Sequence, residues 1–471
     1  MTVPATAALD LAALRSAVRG RVVAPGDDDY DRLRTVMIGG VDPRPAAIVL
    51  VAGPDDVAAT LGLAQDQGVP IAVRSGGHSG SAHGSVDDGI VIDLRERKAI
   101  DIDPASRTAW AETGLTAGEV TAACAEHDLA IGFGDTGSVG IGGITSGGGI
   151  GYLVRSHGMT IDNVLAAEVV LADGRCVVAD ETAEPDLFWA VRGGGGNIGV
   201  VTRFKFRLHE LGRIHGGFLI LPATPETVAG FVAAAEAAPE TVSTILNVMP
   251  APPMPGLAED VVGTMVIFAM LVDSSDAAAG GTALGPFREL AEPHLNLLRE
   301  MAYPEMFQAD EGGGEGGDYH PQVAGRTLFL DRLDLATATT VMGHLEASDA
   351  PFRFIQVRVL GGAMARVPAD ATAFAHRTAP IMAIAGAFYD TPDERSIRQA
   401  WLGRFIADID QGIPGAYVNF MDDDGEASAR TAYPGATWDR LAAIKARYDP
   451  TNLFRRNHNV PPATEPAGTG A

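Results

Sequence analysis

The chain has 471 residues, 46% of them hydrophobic, with a mean hydropathy of +0.11, which is enough to bury a large core in two or more domains. A net charge of −25 and a pI near 4.7 repel phosphate backbones and anionic lipid, which argues against nucleic-acid and membrane-surface roles. No apolar run approaches the ~20 residues that span a bilayer, and two cysteines are too few for a metal cluster or a disulfide framework.

In chain order, the first twenty residues lack a charged start, an apolar block and a cleavage site, and read as a short amphipathic helix of a cytoplasmic protein. AAIVLVA (46–52) is a buried strand, PDDVAATLGLAQDQG (54–68) a helix with Val57, Leu61 and Ala64 on one face, and IAVRSGG (71–77) a return strand. This β-α-β unit empties into a glycine-rich loop. Cys124 follows Val120 by one helical turn and is expected in the core. AAEVVLADGRCVVAD (166–180) reads as a hairpin around Asp173-Gly174, with Cys176 also read as a core residue. VVTRFKFRLHEL (200–211) alternates as a half-buried strand does.

Beyond residue 211 the character changes. Longer strands are expected at GGFLILPA, STILNVMP, GTMVIFAMLV, FRFIQVRVLGG and IMAIAGAFYD, with a helix at PETVAGFVAAAEAA. EGGGEGGD (311–318) reads as a mobile loop. Trp438, Leu441, Ile444 and Tyr448 restore a helical period, so the C-terminal stretch is expected to fold back onto the first domain. The reading is therefore an α+β chain: a domain of residues 1–210 completed by 413–462, a second domain of residues 211–412 with a separate antiparallel sheet, and a disordered tail from 463 to 471.

Three glycine-dense stretches dominate the first domain: RSGGHSGSAHG (74–84), VGIGGITSGGGIGYL (139–153) and RGGGGNIGVVTRF (192–204). Glycine lets backbone N–H groups approach a phosphate closely, and successive amides make an anion-binding nest. One such loop suits a turn equally well; three in an acidic protein favour a dinucleotide. No strand–GxGxxG–helix unit opens the chain, and there is no GxxxxGK[ST], HExxH, GxSxG or kinase signature. His78, taken alone, could face a phosphate or sit on the surface.

At this point the blocks resemble a known family. IAVRSGGHSGSAHGSVDDGIVIDL is similar to the flavin-attachment segment of the berberine-bridge-enzyme-like FAD-linked oxidases of the vanillyl-alcohol-oxidase/PCMH superfamily. SVGIGGITSGGGIGYLVRSHGMTIDNVLAAEVVLADG, PDLFWAVRGGGGNIGVVTRFKFRL and RYDPTNLFRRNHNVPP resemble three further blocks in the same order. The resemblance implies a two-domain PCMH-type FAD-binding fold and an FAD bonded covalently through His78, with His83 a poorer candidate. Some relatives carry a second tether, a cysteine, where this chain has Thr136, so a single histidyl linkage is implied. It also implies cofactor contacts from Arg74, Ser75, Gly76, Gly77 and Ser79, from Val139, Gly140, Gly142, Gly143 and Gly148, from Gly199 and Val200, and from Asn457 and Asn459.

Hydride transfer to a flavin needs an acceptor for the substrate's proton. Tyr417, in the family's Y-x-N segment, is the leading candidate, with Asn419 on the same side if the segment is a strand. It would need a pKa well below ~10. Gln356 and Arg358 share one face of a strand expected to cover the flavin, and no carboxylate lies on that strand; Tyr319 and His320 are weaker candidates for a lid. The implied activity is an oxidase for a small alcohol, sugar, amine or polyphenolic substrate, with O2 as acceptor. The alternatives are a dehydrogenase with another acceptor, an internal-redox or oxygenating flavoenzyme, and a non-catalytic flavin-binding protein.

Overall fold

The computed structural model describes residues 9–275, 281–307, 320–422 and 425–464. The stretch 311–318, Tyr319 and most of the tail lie outside the described residues. The fold is α+β in two domains, as expected. After helix α1 (Leu11–Ala17), the first sheet holds β1 (Arg21–Val23), β2 (Ala47–Leu50), β3 (Ile71–Arg74) and β4 (Ile90–Asp93), in the order β1-β2-β4-β3. β2 and β3 both run parallel to β4, so the β-α-β unit around α2 (Pro54–Gln67) leaves room for a third strand between its two. Val57, Leu61 and Ala64 of α2 are buried against this sheet.

The second sheet is antiparallel: β5 (Ile100–Asp103), β6 (Thr108–Glu112), β7 (Val164–Val170), β8 (Cys176–Ala179) and β9 (Val200–Arg207), in the order β5-β6-β9-β7-β8. The Asp173-Gly174 hairpin forms, but β8 is the edge strand, so Cys176 is exposed and not a core residue. Cys124 is fully buried in α3 (Ala117–Ala125).

The large third sheet contains β10 (Arg213–Pro222), β11 (Val242–Pro250), β12 (Met265–Asp273), β13 (Val323–Leu330), β14 (Arg353–Val359) and β15 (Ile381–Phe388), in the order β10-β12-β11-β14-β15-β13. One face is covered by three helices, α4 (Pro225–Ala237), α5 (Leu335–Ala347) and α6 (Pro392–Ile409), through residues such as Phe231, Leu345 and Phe405. Strand alternation sends Gln356, Arg358 and Ile384 to the other face. The sequence reading missed β13, an edge strand whose apolar pattern is broken at Gly325-Arg326. It also missed α6, although Thr391 and Glu394 cap its start around Pro392.

The C-terminal helix α7 (Ala436–Tyr448) packs Trp438, Leu441 and Ile444 into the same core as Phe188, Phe204 and Val201. Its anchor is a buried ion pair. Lys445 Nζ lies 3.3 Å from Asp449 Oδ2 and donates to the backbone oxygens of Asn197 (2.9 Å) and Phe454 (2.6 Å). Asp449 in turn accepts the N–H groups of Leu453 and Phe454. Burial lowers the ammonium pKa to about 8, against the pull of the carboxylate. Removing one partner strands a buried charge, so Asp449→Ala should cost ~3–5 kcal/mol. Lys445→Met strands the Asp449 carboxylate in the same way and should cost a similar amount, and chemical denaturation monitored by circular dichroism would measure both.

Candidate active site

β3 ends at Arg74, and the chain then leaves the sheet into the first glycine loop. The Arg74 guanidinium is buried: Nε donates to the Gly84 carbonyl at 2.8 Å, and Asp93 lies 3.7 Å away. It braces both ends of the loop. The second glycine loop is pressed against the first. A Cβ on Gly76 would lie 2.3 Å from the backbone nitrogen of Gly140, so neither position tolerates a side chain. Thr113 and Ser75 lock the contact through a hydroxyl–carbonyl bond of 2.5 Å, and Ser75 Oγ also accepts the Gly142 N–H. The third loop is pinned by Asn197, whose Nδ2 donates to Gly194 and to the His458 carbonyl while its Oδ1 accepts the Val460 N–H.

These loops, the end of the large sheet and residues 417–422 and 456–458 enclose a cavity of about 490 Å³. Arg74 through Ser79, Thr136, Val139, Gly140, Gly142, Gly143, Gly199, Asn457, Arg358 and Tyr417 all line it. At Gly143 and Gly196 an added Cβ would meet nothing within 4 Å, so these backbones lie open to the cavity as a cradle for a ligand. Asn457 Nδ2 is held by Gly196 and Phe454, while its Oδ1 is buried without a protein partner. His78 is half-buried in the wall. Burial lowers its pKa and favours the neutral imidazole, against a backbone hydrogen bond at Ser138.

Five expected residues lie outside the cavity wall. Val200 turns into the core with Val170 and Phe454 because β9 alternates, which leaves Gly199 and Val201 to face the cavity. Gly148 sits beneath the Tyr417 ring. Asn459 faces Lys445 at 3.4 Å. Gln356 stands behind Arg358, accepting from its Nε and Nη2 at 3.1 and 2.8 Å and donating to Asn247 at 3.0 Å. His320 lies against Met37 outside the wall.

Tyr417 begins a 3₁₀ turn and not a strand, but Asn419 still reaches it: Asn419 Nδ2 donates to Tyr417 Oη at 2.9 Å, and the Gly149 N–H donates at 2.8 Å. Both lone pairs of the phenol are therefore used, and only its proton is free. Burial raises the pKa, outweighing those donors and Arg358. This contradicts the lowered pKa that a tyrosinate base requires.

The sequence reading passed over Asp135, whose Oδ2 accepts from Arg358 Nη2 at 2.7 Å, and Phe420, whose ring centre lies 5.2 Å from the Arg358 guanidinium. It also passed over Asp422, paired with Arg326 at 3.1 Å, and Arg456. The available signal was a carboxylate inside a glycine loop, GDTGSVG, which was read only at Thr136. So a carboxylate does reach Arg358, but from the facing loop and not along β14.

Residues 45–180 match the FAD binding domain model, and residues 416–461 match the model for berberine and berberine-like proteins. The chain is 30% identical over 455 residues to the FAD-linked oxidoreductase YvdP of Bacillus subtilis, covering 94% of this chain and 98% of that one. The chain belongs to the berberine-bridge-like FAD-linked oxidoreductases. It is also 28% identical over 475 residues to (R)-6-hydroxynicotine oxidase of Paenarthrobacter nicotinovorans, covering 94% and 97% of the two chains. The structure of a xylooligosaccharide oxidase from Myceliophthora thermophila in complex with xylobiose superposes with a TM-score of 0.83 at 26% identity, covering 98% and 100%. As a berberine-bridge-like protein the chain is an FAD-linked oxidoreductase, and no helix among its described residues is long and apolar enough to cross a membrane. Because Gly76 meets Gly140 backbone to backbone, Gly76→Ala should separate the two loops; the flavin absorbance per chain of the purified variant should fall by at least half.

Proposed function

We propose that this cavity holds FAD, bonded covalently through His78, and that the protein is an oxidase of a small organic molecule. The observation that carries this reading is the convergence of three glycine loops and the C-terminal return on one cavity with the His78 imidazole in its wall. The similarity to oxidases of 6-hydroxynicotine and xylooligosaccharides supports the reaction class. When bound, FAD would supply the hydride acceptor for a substrate C–H bond, with O2 as the final two-electron acceptor and H2O2 as its product.

The chain's own residues bind and orient. Backbone from Ser75 to Ser79 and from Gly140 to Gly143 cradles the diphosphate, and Arg456, held by the Ser85 carbonyl at 3.0 Å, adds a cation beside the first loop. Asn457 Oδ1, buried without a protein partner, would be free to accept a hydrogen bond from the cofactor. Gln356, anchored by Asn247, holds the Arg358 guanidinium in place, and Tyr417 presents a proton from a fixed hydroxyl.

Acid precipitation tests the tether. A yellow, fluorescent pellet is expected from the wild type and a colourless one from His78→Ala, whereas a colourless wild-type pellet would contradict the linkage. Adding substrates to the wild type should bleach the flavin anaerobically and release H2O2 in air; a flavin that no substrate bleaches would favour a non-catalytic role. Tyr417→Phe should retain FAD but slow flavin reduction ten- to a hundredfold, the effect of losing one hydrogen bond worth ~1–3 kcal/mol, as read by stopped-flow absorbance.

A further inference from the structure

The ionised groups around the cavity are paired within the protein. Arg358, 2% exposed, is matched by Asp135; Asp422 is matched by Arg326, and Arg74 by Asp93. Among the described wall residues, Arg456 is the exception, and it sits exposed by the first glycine loop. Where the large sheet meets the cavity, Arg358 donates to Gln356, Asp135 and the Ile150 carbonyl, and the Phe420 ring covers its face. The cavity wall also carries the apolar side chains Met37, Ile38, Pro321, Val323 and Ile384.

A buried ion pair is weak evidence for stability, because the desolvation of both ions offsets their attraction. Its effect on a ligand is definite. Arg358 alone would hold a buried positive charge against the cavity and attract anions. Asp135 cancels that charge, so a carboxylate or ammonium placed beside Arg358 would lose its hydration with no net charge there to offset the loss. An uncharged molecule meets no such cost.

We propose that Asp135 determines charge selectivity, neutralising Arg358 so that the site accepts uncharged substrates with an apolar or aromatic body. This rests on the reading of the cavity as the flavin and substrate site. A protein purified without flavin would sink that reading, whereas the experiment below uses flavin-loaded protein and tests the selectivity itself.

The holoenzyme is titrated at pH 7 with benzyl alcohol, benzoate and benzylamine, following perturbation of the flavin absorption spectrum. The wild type should bind benzyl alcohol at least tenfold more tightly than either ion. Asp135→Asn should gain at least tenfold in benzoate affinity while benzyl alcohol changes less than threefold, and Asp135→Glu should behave as the wild type. Equal wild-type affinity for alcohol and ion, or no wild-type response to the alcohol, would overturn the proposal. So would an Asp135→Asn variant that weakens all three ligands alike, since a purely structural pair predicts that pattern. If Asp135→Asn does not fold, the wild-type ranking decides the matter.

Discussion

The rest of the site depends on one buried ammonium group. Lys445 is one of only three lysines in the chain, and it is fully buried. Its three N–H bonds reach Asn197 in the third glycine loop, Phe454 and Asn459 in the C-terminal return, with Asp449 beside it. Two segments separated by about 250 residues are thereby fixed in one place. Without that constraint Asn457 would lose its hold on Gly196, and one wall of the cavity would have no reason to face the others. A charge this deep costs desolvation, and the four oxygens around it are what make it tolerable.

The second constraint is the absence of side chains. Gly76 and Gly140 meet at backbone distance, which brings the first two loops together and leaves amides along the cavity. Glycine clusters are visible in a sequence, and so this part of the site was legible: the loops, His78 in their midst and the C-terminal blocks all pointed to one cofactor. Long apolar strands of the large sheet were equally plain, because burial on both faces produces continuous hydrophobic runs.

What escaped the sequence was set by tertiary contacts. Strand β13 lies at an edge and carries Arg326, so its pattern is broken. Cys176 looked like core because β8 is apolar, but an edge position leaves it exposed. Tyr417 was read as a base from its place in a motif. Its state depends on Gly149, which lies 268 residues earlier, and on Asn419, whose hydrogen bonds do not offset the burial that raises its pKa. Asp135 and Arg358 are 223 residues apart and meet only where the second domain closes on the first. No local pattern encodes such a pair.

The account joins one cavity, one imidazole and one cofactor, and peptide mapping tests that union most directly. Tryptic cleavage after Arg74 and Arg95 releases a peptide from Ser75 to Arg95 that contains His78. The account predicts that this peptide from the native protein carries the mass of one flavin nucleotide less two hydrogens, with fragmentation placing it on His78. The peptide at its unmodified mass, or the flavin on a peptide from elsewhere in the chain, would contradict it.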